Sequence, residues 1–133
     1  MKTKTIFYWV ARGVAAVIML QTLYFKFTGA PESVEIFTTV GMEPWGRFAV
    51  GVFELIASIL LLINTTAWLG GGIALGLMAG AIGMHLTVLG IEVQDDGGLL
   101  FFYALLVAAC AMVVLWFNKE TINARMKNFK HWF

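Results

Sequence analysis

Four stretches of this chain are apolar for long enough to cross a lipid bilayer, and that leaves few folds open. A helix needs about 17–25 residues, rising ~1.5 Å each, to span ~30 Å of hydrocarbon. The stretches run from Thr5 to Phe25, Phe48 to Ile63, Ala67 to Ile91 and Leu99 to Phe117. The second is the shortest, so it stands near the bilayer normal or sits where the bilayer thins. Composition points the same way: 60% of the residues are hydrophobic and 13% charged, outside the range of an ordinary soluble domain. The expectation is an all-α, four-transmembrane-helix bundle, a single integral membrane domain over residues 1–133.

Lys2 and Lys4 ahead of an apolar run look superficially like a signal peptide. Arg12 interrupts that run, however, and no small-x-small cleavage site precedes Lys26, so the segment reads as a retained first span. Four spans place both termini on one side. Lys2 and Lys4 before the first span, with Lys119, Arg125, Lys127 and Lys130 after the last, make that side cytoplasmic. The opposite, outer loops hold Glu32, Glu35, Glu43, Glu92, Asp95 and Asp96 against a single Arg47. The connection from Thr28 to Trp45 is too long for a simple turn. Pro31 suits a first helical position, Glu32 and Glu35 complement the amino end of a helix dipole, and Gly41 suits a carboxyl cap. With Val34, Ile36, Phe37 and Val40 forming an apolar surface, a short amphipathic surface helix is expected between helices 1 and 2. From Asn118 onward, Arg125, Lys127 and Lys130 beside Phe129, Trp132 and Phe133 read as a basic C-terminal interfacial segment attracted to anionic lipid.

The third span carries Gly72, Gly76 and Gly80 at four-residue spacing, a strip along which a neighbouring helix could pack closely. A second stripe, Gly71, Ala74, Met78, Ala81 and His85, lies on another side of the same helix. Two close-packing faces would make this helix the central member of the bundle.

Glu54 is the residue around which function must be argued. A carboxylate within a span costs about 2.5–3.5 kcal/mol on insertion scales and normally faces a bundle interior or wet cavity with a partner. Counting helix rise from the outer ends, Lys26 sits at the end of the first span, Glu54 ~10 Å down the second and His85 ~9 Å down the third. The expected arrangement is an outer-half polar pocket walled by Glu54, Lys26 and His85, with Tyr103 near in depth. Each residue also has a plainer reading. Glu54 could be a structural ion pair, Lys26 could snorkel to headgroups, His85 could be a packing histidine, and Tyr103 an interfacial aromatic. Arg12 would bond lipid phosphate or cap the inner end of the pocket.

Much chemistry is excluded. The one cysteine, Cys110, rules out an intrachain disulfide, a CxxC pair and a Cys-rich metal site. Asp95-Asp96 reads as a solvated pair rather than half a metal site, so no metal is expected. A bis-histidine haem would need a second intramembrane histidine. Flavin and iron–sulfur motifs are lacking, so no intrinsic cofactor is expected, and nothing points to nucleic acid.

The arginine in the first span, Lys26 at its outer end, the surface helix leading into Gly41-Met42-Glu43-Pro44, Glu54 in a leucine-rich second span and Ala81 to His85 in the third together resemble the DoxX-like family. The resemblance covers roughly Ala11 to Phe117, with departures at Leu23, where a glycine is expected, and in an extra residue between Gly41 and Pro44. It implies small four-helix proteins of the bacterial inner membrane, some associated with quinone-linked oxidation of sulfur compounds and with membrane oxidoreductase complexes. Arg12, Lys26, Glu54 and His85 match the family's polar positions. Three functions follow from this. In the first, a redox-associated component binds a quinone or similar amphiphile and works with a membrane redox partner subunit. In the second, a non-catalytic scaffold assembles another membrane complex. The third, a small-solute carrier, is disfavoured because four helices without a repeat leave little room for alternating access unless the chain forms a homo-oligomer.

Overall fold

The structure is a computed structural model describing residues 2–93 and 96–131. Its elements are α1 (Thr3–Thr28), α2 (Pro31–Thr39), α3 (Trp45–Leu62), α4 (Ala67–Met84), α5 (Leu99–Phe117) and α6 (Lys119–His131). A 3-10 turn over Asn64–Thr66 precedes α4, and a π-helical turn over His85–Leu89 follows it. Among the described residues there is no strand. Among the described residues four helices are long and apolar enough to cross a membrane: α1, α3, α4 with its flanking turns, and α5. Short α2 lies between the first two of these, and α6 carries Lys119, Arg125 and Lys127. Trp132 and Phe133, expected in the interfacial segment, lie outside the described residues.

Helix ends follow local chemistry more closely than hydropathy. α1 runs past the expected Phe25 to Thr28, because the stop signal is Gly29. That residue takes φ 72°, and its N–H returns to the Phe25 carbonyl. The left-handed conformation costs glycine little, so the chain turns there. The α-helix of the third span ends sooner than expected, at Met84, where the hydrogen bonding widens into the π turn before Gly90 at φ 80° stops it.

The spans form a ring in which α1 packs on α3 and α5, and α4 packs on α3 and α5. Small side chains fill the centre: Ala15, Ala57, Ala74, Ala108 and Ala111 with Met19, Leu61, Val107 and Val114. In lipid, close van der Waals approach replaces hydrophobic collapse as the packing force, which favours such residues. α3 and α4 meet most tightly at Gly70, where a Cβ would lie 2.7 Å from Leu61 N and 2.9 Å from Ala57 O. The neighbouring Gly71 faces Val114.

The expected strip of Gly72, Gly76 and Gly80 does not pack. A Cβ at any of the three would meet nothing within 4 Å, and all three are exposed. Spacing shows that residues share a helix face, but not which way that face points. The inward arc of α4 is set by Ala67, Gly70, Gly71, Ala74 and Met78, and Gly76 lies about 160° around from Ala74 at 100° per residue. α4 therefore has one close-packing side. Gly70→Ala is expected to destabilise the bundle by about 1–3 kcal/mol, since backbone cannot retreat from the added methyl as a side chain could. Gly72→Ala is expected to be neutral or to gain up to ~1 kcal/mol from helix propensity. Denaturation in mixed micelles compares the two, and equal midpoints would refute the close contact at Gly70.

Two arginines tie the antiparallel pair α1 and α3 at both ends. Arg12 of α1 is fully buried; its Nε donates to the Leu61 carbonyl at 2.6 Å and its Nη1 to Asn64 Oδ1 at 2.9 Å. Arg47 of α3 donates through Nη1 to the Lys26 carbonyl, while its Nε holds the Glu43 carboxylate at 3.0 Å. The last carbonyls of a helix lack partners and carry the negative end of its dipole. Each helix thus sends a cation to the carboxyl end of the other. At the end of the bundle bearing the termini, Asn118 Nδ2 also donates to Tyr8 Oη at 2.7 Å, and the Tyr8 and Phe117 rings lie 5.2 Å apart.

Candidate functional site

At the opposite end, beneath α2, the pair α1–α3 and the pair α4–α5 enclose a cavity of about 540 Å³. Its walls are mainly apolar, with Ile18, Met19, Leu77, Met78, Ala104 and Val107 deep, and Phe37 and Met42 above. Phe37 and Ser33 are the buried residues of α2, so the surface helix closes the cavity with its apolar side.

The polar groups in this cavity come from α1, α2, α3, the π turn, α5 and the loop before α5. Glu54, halfway along α3, is 1% exposed. Its Oε1 lies 2.8 Å from Lys26 Nζ, close enough for an ion pair but off the angle of a directed hydrogen bond. Its Oε2 accepts from the Thr22 hydroxyl at 2.9 Å, whose single proton is also within reach of the Met19 carbonyl. Lys26 therefore turns into the bundle instead of snorkelling to the surface, though its side chain keeps 17% exposure. Thr22 stands one helical turn before Lys26, so both reach the same carboxylate.

His85 opens the π turn and is buried. Its Nδ1 lies 2.9 Å from the Gly90 carbonyl. A carbonyl can only accept, so Nδ1 carries the proton, and among the described residues Nε2 has no hydrogen-bond partner. The ring packs 5.4 Å from that of Phe101. The π turn thus has a local consequence: it brings the chain back so that the helix-ending carbonyl fixes the imidazole tautomer. Tyr103, partly buried on α5, lines the same cavity.

Four of the five residues singled out from sequence thus share one cavity: Glu54, Lys26, His85 and Tyr103. Arg12 does not. It is sealed at the other end of the bundle against Leu61 and Asn64, with its guanidinium 3.7 Å from the Trp9 ring centroid and 5.1 Å from that of Tyr8. Complete burial also removes it from lipid phosphates. Its main acceptor is a main-chain carbonyl, and backbone acceptors leave no trace in a residue-by-residue reading.

Three contributors escaped the sequence reading. Thr22 was detectable from its spacing to Lys26, whereas Ser33 on α2 carried no signal. Asp96, expected to be solvated, caps α5 instead. Its Oδ1 accepts from the N–H groups of Val93 and Gly98 at 3.1 and 2.8 Å, and its Oδ2 from Leu100 at 3.2 Å. Partial burial pushes its carboxyl up, but these amides and that of Leu99 outweigh it and hold the group below the usual aspartate range. Asp95 lies outside the described residues. Among the described residues, no three His, Cys, Asp or Glu side chains converge as metal ligands would.

Four apolar helices around a cavity that holds an ion pair define a multi-pass membrane protein with a buried polar site. The DoxX family profile matches residues 7–89, well over half of the 133 residues, and the chain belongs to the DoxX family. That match takes in α1 to the π turn, hence Lys26, Glu54 and His85, and leaves α5 with Tyr103 outside it. No curated protein and no solved structure matches the chain.

Proposed function

We propose that the protein holds a quinone or a similar single-headed amphiphile in this cavity, as a component working beside a membrane oxidoreductase. The observation that carries this reading is the cavity itself: about 540 Å³, apolar along its walls, with Lys26–Glu54 and His85 at the end under α2. Ligand sites of roughly 300–1,000 Å³ combine such walls with a few convergent polar groups. A bound quinone would supply two-electron, two-proton carrier chemistry. The chain's own part is to hold the headgroup. Lys26 and the Tyr103 hydroxyl can donate to a carbonyl, His85 Nε2 can accept from a hydroxyl, and Glu54 is placed to exchange a proton through Lys26 or Thr22. Electrons must pass to and from a partner subunit. On this reading the membrane is the bacterial inner membrane, with both termini cytoplasmic, because Lys2, Lys4, Lys119, Arg125 and Lys127 gather at one end. The cavity then opens toward the outer leaflet.

A specific observation favours a second reading, that of a scaffold. Glu54 already has Lys26 and Thr22, and both buried arginines cap helices, so the charges suffice to specify the bundle without any ligand.

Titration of the detergent-solubilised protein with a decyl-substituted benzoquinone, followed by quenching of tryptophan fluorescence, separates the two. Saturable binding that weakens at least about tenfold, ~1.4 kcal/mol, in Glu54→Gln supports the ligand site. Absence of saturable binding to the wild type, with another membrane subunit retained on purification, would favour the scaffold.

A further inference from the structure

From the shape of the cavity walls we infer that the amphiphile enters sideways from the bilayer, between α3 and α4, past Gly76 and Gly80. The inference rests on the ligand-holding reading above and adds a route and its determinants.

Three observations support it. First, the axial route is covered: α2 lies across the end of the cavity with Phe37 buried against it. Second, α3 and α4 touch at backbone distance low in the bundle, at Gly70. Six to ten residues further along α4, about 9–15 Å at 1.5 Å per residue, Gly76 and Gly80 line the cavity together with Val50 and Glu54 of α3, although both are exposed and lie off the buried arc of the helix. The border is bare backbone there, and a Cβ at either position would meet nothing within 4 Å. Third, polar groups wait behind that border: buried Glu54 with its Lys26 partner, and the buried ring of His85. At the seam between α1 and α5, Gln21, Phe25 and Leu99 also line the cavity and are exposed, but there the border is made of long side chains and not of bare backbone.

A solute already dissolved in the bilayer could thus slide its head through a glycine-walled gap while its tail stays in lipid. Bare backbone at Gly76 and Gly80 serves the opening, which explains why these glycines face away from every helix although they are spaced for packing.

The test is the Gly76→Leu/Gly80→Leu variant, with Gly72→Leu as control. All three positions have open space for a side chain, but Gly72 does not border the cavity. Each protein is reconstituted in vesicles of phosphatidylcholine, and stopped-flow fluorescence measures association and dissociation of the decyl-substituted benzoquinone. The expected result is that both rates fall by roughly tenfold or more in the double variant while Kd stays unchanged, with Gly72→Leu behaving as wild type. Wild-type rates in the double variant would overturn the route and leave the ligand site standing. A changed Kd at an unchanged association rate would also overturn it, because the leucines would then occupy the site and not its entrance. If the wild type binds no benzoquinone, the ligand-holding reading and this inference fall together.

Discussion

Glu54→Leu alone is expected to lower the stability of the bundle by about 2–3 kcal/mol, and adding Lys26→Met is expected to restore most of that loss. Removing one member of a fully buried pair strands the other charge at a cost of roughly 3–5 kcal/mol, whereas replacing both by apolar residues is often neutral. The lower figure applies because Lys26 keeps 17% side-chain exposure and can withdraw toward the surface once Glu54 is gone. Glu54 has no such escape at 1% exposure, so Lys26→Met alone should be the more damaging single change. Unfolding in mixed micelles gives the cycle. Its value lies in the double variant: a stable bundle that no longer binds the benzoquinone separates the site from the scaffold. Recovery of both stability and binding would show that neither charge serves a ligand.

The second large effect is expected at Arg12. Arg12→Leu removes two charge-assisted hydrogen bonds, each worth about 1.5–3 kcal/mol, and leaves the Leu61 carbonyl and the Asn64 side chain without their donor. Part of the loss is offset, because a guanidinium no longer has to be buried and its Nη2, which lacks a hydrogen-bond partner among the described residues, disappears with it. The net expectation is a loss of about 2–3 kcal/mol. Arg12→Lys should recover little, since an ammonium cannot span two acceptors in the plane that the guanidinium fork fits. Benzoquinone affinity should be unchanged in both variants, because Arg12 lies outside the cavity. The same denaturation assay reads the stability change, and an unaltered midpoint in Arg12→Leu would show that the carboxyl end of α3 does not depend on the arginine.

How far these features could be read in advance depended on what kind of partner each residue found. The four spans followed from length and hydropathy, and α2 from Pro31, the early acids and Gly41, because such signals are local. Lys26 and Glu54 lie at similar depths on adjoining spans, and opposite charges in lipid have few other choices. Arg12 and Arg47 were harder, since their acceptors are main-chain carbonyls, which every residue has. Arg47 looked like the lone cation of an acidic mouth, although it closes the end of α1. The glycines of α4 misled for a geometric reason: periodicity defines a face, while the Asn64–Thr66 turn and the contact at Gly70 decide where that face looks. Nothing local announced the π turn, yet it sets the orientation of His85.

The crossed arginines bear on the order in which the chain can be built. Arg12 emerges from the ribosome some fifty residues before the Leu61 carbonyl that it binds, and the Lys26 carbonyl waits for Arg47. Until α3 arrives antiparallel to α1, the first span carries a cation without its final acceptors, at a cost of about 2.5–3.5 kcal/mol on insertion scales, and an open carboxyl end. Insertion of α3 satisfies both ends in one step. The hairpin of α1 and α3, and not the single first helix, is thus the smallest unit of this protein that can be released into the bilayer with its charges accounted for.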